Sequence, residues 1–290
     1  MVQDIQKLLN FGLINIDKPA GPTSYSVSEF VKRKLGLKKT SHMGTLDPKV
    51  TGVLPITLGR ACRLADHFIR HDKSYIGILQ THKPQKMEEL QELIDRNFTG
   101  KIKQVPPVRS AVKRAERVRE VYKFEFLEAN ADGREFLFYC KVEGGTYIRK
   151  ICSDLGEMIG GAHMGELRRT MAGIFDEKTL VRLEDFEKAV WDWKERENEK
   201  PLRKMIVPAE DSIKKVMPVV YVDKQVLKAL YNGKPLFRKD TIASDEVIKK
   251  LANEACFAAF VKDKKGEIFV GVYKKTKEKA ILGRAEFVYN

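Results

Sequence analysis

Long apolar runs are missing from this 290-residue chain: no stretch of about eighteen uninterrupted apolar residues exists to cross a membrane as a helix. Cysteine is scarce, and Cys62, Cys140, Cys152 and Cys256 are scattered with no C-x-x-C pair. That usage fits reduced thiols rather than a disulfide frame or a zinc site. The five histidines show no metal-ligand spacing either. His67 and His71 stand four apart but lack an H-E-x-x-H setting, so no metal is expected. The opening residues MVQDIQKLLNFG do not follow the basic-then-apolar order of a signal peptide, and a cytoplasmic protein is expected. Internal repeats and low-complexity tracts are missing too.

What is present in excess is positive charge. Fifty-four Lys and Arg against forty Asp and Glu give +14, which points to a polyanionic partner, most often nucleic acid. The charge is clustered. KIKQVPPVRSAVKRAERVREVYK (101–123) holds eight basic residues and two acids, and VKRKLGLKK (31–39) holds five more basic residues. Patches of this kind neutralise phosphates and make binding steeply salt-dependent. With 43% hydrophobic residues the chain can also bury a core, in one or two domains at this length.

Patterning alternates strand-like and helix-like segments. GLINIDKP reads as a strand stopped by Pro19, and PTSYSVSEFVKRKLG as a helix capped near Thr23 or Ser24 and closed by Gly36. RACRLADHFIRH reads as an amphipathic helix with Ala61, Leu64, Ala65 and Phe68 inward. KSYIGILQ reads as a strand, KMEELQELIDRNF as a helix, VYKFEFLEA and EFLFYCKVEG as a hairpin around NADGRE, and TYIRKICSDLGEMIGG as a helix. EKAVWDWKERENEKPLRKMIVP (187–208) reads as a polar linker. Beyond it CFAAFVKDKKGEIFVGVYKKTKEKAILGRAEFVY gives three short strands of a small β-barrel or sheet. The pattern predicts an α+β core, residues 11–215, and a second domain, 216–290.

One acid stands out. In SHMGTLDPKVTGVLPITLG (41–59) Asp47 sits in a run whose only other charge is Lys49. A carboxylate entering an apolar setting must be paired, hydrogen-bonded or protonated. Leu-Asp-Pro-Lys is also good turn chemistry, so local pattern alone leaves a turn residue and a functional acid both open.

Four stretches in order resemble the TruB/dyskerin family of RNA pseudouridine synthases: NIDKPAGPTS (15–24), HMGTLDPKVTGVLPITLGRACRL (42–64), KSYIGIL (73–79) and GGTYIRKICSDLGEMIGGAHMGELRRT (144–170). Within the family, PPVRSAVKRAERVREVY (106–122) is similar to the archaeal branch that works with H/ACA guide RNAs. The short separation of Tyr75 and Pro106 is also unlike the stand-alone bacterial enzymes. The resemblance implies a pseudouridine synthase fold, meaning a mixed, largely antiparallel sheet with flanking helices. It also implies a C-terminal PUA-like RNA-binding barrel, on which residues 1–10 would pack.

It implies roles residue by residue. Asp47 would be catalytic, acting as a nucleophile or as a base that draws a ribose proton. Arg149 would pair with it, Tyr75 would stack on the target base, and His42 would pack near the flipped-out nucleotide. Leu167 and Tyr147 would line the uracil pocket, and Lys18 and Pro19 would support the site. No cofactor and no metal are implied, because the reaction is an isomerisation. Met43, where the dyskerin branch has glycine, is a departure expected to alter how the loop meets RNA. The C-terminal segment also lacks the usual turn of a PUA domain.

The implied partners are a box H/ACA guide RNA with an rRNA or tRNA substrate, a small zinc-ribbon protein, a small β-barrel protein and a kink-turn-binding protein. A membrane is not among them. Two other readings stay open. One is a stand-alone synthase acting on the T-arm of tRNA, and the other is an RNA-binding scaffold without catalysis.

Overall fold

The computed structural model describes residues 4–106, 115–251, 253–263, 266–278 and 280–290, which form two compact units, Met1–Val207 and Pro208–Asn290. Among the described residues no helix is long and apolar enough to cross a membrane.

The first unit follows the two periodicities of its sequence. Helix α1 (Ile5–Asn10) buries Ile5, Leu8 and Leu9 in this unit's core and leads into strand β1 (Gly12–Lys18). Helix α2 (Ser24–Leu35) begins where the Thr23 hydroxyl accepts the Ser26 N–H and ends at left-handed Gly36. Short β2 (Thr40–His42) and β3 (Thr51–Leu58) follow, then a 3-10 turn (Gly59–Leu64) and α3 (Ala65–Ile69). The segment read as one amphipathic helix is thus split in two, yet Ala61, Leu64, Ala65 and Phe68 all face inward. Next come β4 (Lys73–Thr81), α4 (Met87–Asn97), β5 (Gly100–Gln104), β6 (Arg117–Ala129), β7 (Glu135–Val142) and α5 (Ile148–Ile159). Strands β8 (Ala162–Ala172) and β9 (Phe175–Asp176) complete the middle of the sheet. Of the stretch resembling the guide-RNA branch, residues 107–114 lie outside the described residues, and its end opens β6.

Residues 187–208 are not a linker. They form most of α6 (Leu183–Arg196), all of α7 (Lys200–Met205) and the edge strand β10 (Ile206–Pro208). Phe186, Ala189, Val190 and Trp193, at i, i+3, i+4 and i+7, turn to the core with Leu202, while the charges that suggested a linker take the outer face. Pro201 sits in the first turn of α7, where its missing N–H costs nothing.

The strands make one mixed sheet in the order β10-β1-β3-β8-β4-β7-β6-β5, with β2 on β3 and β9 on β8. The pairs β1–β3, β2–β3, β4–β8, β4–β7, β6–β7, β5–β6 and β8–β9 are antiparallel, whereas β3 runs parallel to β8, where Thr51 and Gly52 lie beside Arg168 and Arg169. This parallel contact brings the chain immediately after Asp47 against the centre of the sheet. It also demands glycine: Gly52 has φ +98°, and a Cβ there would stand 2.2 Å from the Arg169 carbonyl oxygen.

In the second unit α8 (Ala209–Ile213), β11 (Val219–Tyr221), α9 (Leu227–Tyr231), β12 (Leu236–Phe237) and α10 (Asp245–Leu251) precede β13 (Cys256–Asp263), β14 (Gly266–Lys275) and β15 (Ile281–Val288). The sheet runs β11-β13-β14-β15-β12, with register shifts at Ala259/Phe260 and Val272/Tyr273 that curl it into a half-barrel. Its core includes Phe257 stacked on Tyr273 at 5.9 Å. The three strands expected from sequence are the three long ones, and the α+β class holds for the chain.

Candidate active site

Asp47 lies in the loop between β2 and β3 and opens a tight turn, the Val50 N–H donating to its carbonyl at 3.0 Å. The two readings of this residue are therefore compatible. Its backbone makes the turn, and its carboxylate, 47% exposed, is left over for something else.

The loop is held by its own peptide groups. Buried Ser24, the first residue of α2, donates to the Leu46 carbonyl (3.0 Å) and accepts the Leu46 N–H (2.8 Å), fixing the residue just before Asp47. The Lys18 ammonium, fully buried at the end of β1, donates to the carbonyls of Pro19 (2.9 Å), Pro48 (3.0 Å) and Val50 (2.8 Å). The Gly21 N–H reaches the Pro48 carbonyl as well, at 2.9 Å. From β8, Arg169 donates through Nη2 to the Gly44 carbonyl (3.0 Å) and through Nε to the Val53 carbonyl (2.8 Å). Pro19 thus contributes a carbonyl to the clamp that its neighbour Lys18 closes.

Arg149, in the first turn of α5, pairs its guanidinium with the Asp47 carboxylate. The start of that helix is set by Gln104 at the end of β5, whose side-chain amide accepts the Tyr147 N–H (3.0 Å) and donates to the Tyr147 carbonyl (3.2 Å). Both members of the pair are about half exposed, and ion pairs of that kind are worth about 0–1 kcal/mol. Stability does not explain it. Nor is the carboxylate desolvated in the free chain, contrary to the expected enclosed setting.

Beneath this pair the side chains are buried. Tyr75 on β4 is 7% exposed and is the register partner of Arg169 on β8. Burial pushes the phenol's pKa up, and Arg169 pulls it back in part. Leu167, two residues before Arg169 on the same strand face, lies in the same buried cluster. It fills the space over Gly77, where a Cβ would meet its Cδ1 at 2.7 Å. His42 ends β2, its imidazole against the Thr45 hydroxyl at 3.2 Å. Burial, and then Arg169, lower its pKa, so it is an uncharged aromatic at neutral pH. Met43 is 2% exposed: its side chain goes into the core and is not presented at the loop surface. The buried Cys140 and Cys152 thiols are pushed up, Cys152 to about 12, which makes them poor nucleophiles.

Three residues that brace backbone around the site were not among the expected site residues: Ser24, Lys73 and Arg169. Period two along a β8 strand would have separated Arg169, inward with Leu167, from Arg168, which pairs outward with Asp17 and Glu177. Lys73, 5% exposed, donates to the carbonyls of Ile69 (2.6 Å) and His71. Burial, then Arg169, lower its pKa to about 8. A lysine with a lowered folded pKa releases its proton earlier in the folded chain, so its contribution to stability rises with pH from about 8 to its unfolded value of about 10.4. Measured by urea unfolding at about pH 7 and about pH 9.5, the parent should gain on the order of 2 kcal/mol relative to Lys73→Met. An equal change in both proteins would exclude this linkage.

Comparison with known proteins agrees with the geometry. A family model described as TruB family pseudouridylate synthase (N terminal domain) matches residues 32–148, and one described as tRNA pseudouridylate synthase B C-terminal domain matches 149–214. A probable tRNA pseudouridine synthase B of Methanococcus maripaludis (strain C6) is 42% identical over 253 residues, 85% of this chain and 75% of that protein. Two solved structures cover 99% of the chain. A Cbf5-Nop10-Gar1 complex has TM-score 0.85 and 35% identity over 87% of its matched chain. An H/ACA RNP bound to a substrate RNA containing 2'-deoxyuridine has TM-score 0.83 and 32% identity over 88% of its matched chain.

Proposed function

We propose that this chain, which belongs to the TruB family of pseudouridine synthases, uses Asp47 to isomerise uridine to pseudouridine as the catalytic subunit of a guide-RNA particle. The observation that carries the catalytic part is the Asp47–Arg149 pair, too exposed to matter for stability and mounted on a loop fixed at Gly44, Leu46, Pro48 and Val50. The reaction breaks the bond from N1 of uracil to C1' of ribose and forms one from C5 to C1'. C5 loses its proton and N1 regains one, so no atom is gained or lost. Asp47 starts it as nucleophile or base, and Arg149 holds the carboxylate in one orientation. Tyr75 meets the base from below, with Leu167 and Tyr147 around it and His42 beside the extruded nucleotide. The first unit carries this chemistry, and the PUA-like second unit holds RNA.

Guide dependence draws support from the coverage of nearly the whole chain by subunits of H/ACA assemblies. The family resemblance adds its partners: a box H/ACA RNA, a small zinc-ribbon protein, a small β-barrel protein and a kink-turn-binding protein. The names of its relatives support a second reading, a stand-alone tRNA enzyme. The test is pseudouridine formation by the purified chain on a tRNA T-arm transcript, beside the same chain assembled with guide RNA and those proteins on a guided target. Activity only in the assembly is the expected result. Full activity on the T-arm alone, with no gain from assembly, would replace the guided reading with the stand-alone one.

A further inference from the structure

We infer that Gln104 is a positioning residue: from the end of β5 it caps the start of α5 and so sets where Arg149 meets Asp47, an inference that rests on the catalytic reading above. Helix α5 lacks the usual devices at its start. Its N-cap is Tyr147, which makes no side-chain cap hydrogen bond, and its first turn holds no acidic residue. Gln104 does that work from 43 positions earlier in the chain. Its carboxamide belongs to a residue 4% exposed, and it accepts the Tyr147 N–H at 3.0 Å and donates to the Tyr147 carbonyl at 3.2 Å. One bond would leave a pivot. Two bonds to a single residue fix its position and its rotation together, as in a hydrogen-bonded pair of an antiparallel ladder. The approach to the helix is held as well, since the Glu143 carbonyl accepts the Thr146 N–H (3.2 Å) and hydroxyl (2.8 Å).

Arg149 depends on that start more than a packed side chain would. It is 50% exposed, so packing constrains it little, and its guanidinium reaches Asp47 only while the backbone that carries it stands in one place. It is the second residue of the helix. Unwinding by a single residue would move the chain about 1.5 Å along the axis and about 100° around it, which turns Arg149 away from the acid. Gln104 is a firm anchor against that motion. It is the register partner of Arg117 on β6, and its burial keeps water from competing for its two bonds. A methionine at this position would keep the volume and lose both bonds. A glutamate would keep both only when protonated, because the neutral acid carries one donor and one acceptor.

The test is a double-mutant cycle of Gln104→Met and Arg149→Met, read as the single-turnover rate on the RNA that the parent converts, with RNA affinity measured alongside. Gln104→Met should slow turnover roughly 10- to 100-fold, with affinity within about threefold, since a misplacement near 1 Å can cost about 100-fold. In the Arg149→Met background the same change should cost less than about threefold, because the glutamine acts through the arginine. Equal losses in both backgrounds, as from a merely structural role, or no loss at all, would overturn the inference. Should Gln104→Met not fold, Gln104→Glu decides the matter. Burial raises the pKa of the introduced carboxyl, so its loss relative to the parent should shrink between about pH 8 and about pH 5. A loss that stays constant over that range would overturn the inference too. Asp47→Asn run in the same assay separates the two levels. A parent-like Asp47→Asn fails the catalytic reading, whereas a parent-like Gln104→Met beside an inactive Asp47→Asn fails only this one.

Discussion

Asp47→Asn should lower the rate of pseudouridine formation by at least about a thousandfold while leaving the protein folded and its RNA affinity within a few-fold of the parent. The contrast follows from what Asp47 does twice over. Its backbone opens the turn closed by Val50, and asparagine serves that turn equally well. Its neighbours are fixed through peptide groups that the substitution does not touch. The carboxylate itself is 47% exposed and pairs with an Arg149 that is 50% exposed, so losing the pair changes stability by no more than about 1 kcal/mol. What the amide cannot do is attack carbon or take a proton. The measurement is chromatographic nucleoside analysis of the treated RNA, with thermal unfolding and RNA binding in parallel. A variant within about tenfold of the parent would remove Asp47 from the chemistry. A variant that is inactive because it has unfolded would show that the loop depends on the carboxylate.

Lys18→Met should have the opposite signature, with stability and activity lost together. The Lys18 ammonium is fully buried and satisfies the carbonyls of Pro19, Pro48 and Val50, two of them in the Asp47 loop. Methionine fills a similar volume but donates nothing, which leaves the Pro19 and Val50 carbonyls short of a partner, while Pro48 keeps the Gly21 N–H, at roughly 1–3 kcal/mol for each one truly buried. Part of that is returned, because the desolvated ammonium, whose pKa burial already lowers, is gone too. The net expectation is a loss of about 2–4 kcal/mol in urea unfolding. Turnover should fall about 10- to 100-fold at temperatures where the variant is still folded, because the loop that carries Asp47 has lost its floor. Unchanged turnover in a destabilised variant would mean that Ser24 and Arg169 hold the loop without Lys18.

Periodicity carried the fold a long way. Strands β1, β4, β6 and β7 and helices α2, α4 and α5 stand where alternation, caps and left-handed glycines put them, and the half-barrel was visible in its Lys/Gly-rich turns. Besides splitting one expected helix into a 3-10 turn and α3, the structure departs from that reading at two places for different reasons. Charge density disguised α6 and α7 as a linker, although Phe186, Ala189, Val190 and Trp193 already had helical spacing. Strand β8 went unread because GGAHMGELRRT carries glycines and two arginines, and its central place in the sheet depends on β3 and β4, which no local pattern reveals. The site divided along the same line. Asp47 and Arg149, 102 positions apart, came from the family resemblance and stand paired. Ser24, Lys73 and Arg169 escaped because their partners are mostly carbonyls, and a sequence does not show where its carbonyls point.

That last fact bears on how the protein could change. A loop gripped by its peptide groups is indifferent to most of its own side chains, so exposed Lys49, two residues past Asp47, is open to substitution without shifting the acid. The freedom to alter which RNA approaches, by evolution or by engineering, sits within two residues of the chemistry. The side chains that grip the loop lie elsewhere, on β1, α2 and β8, as the fixed frame around an exchangeable rim.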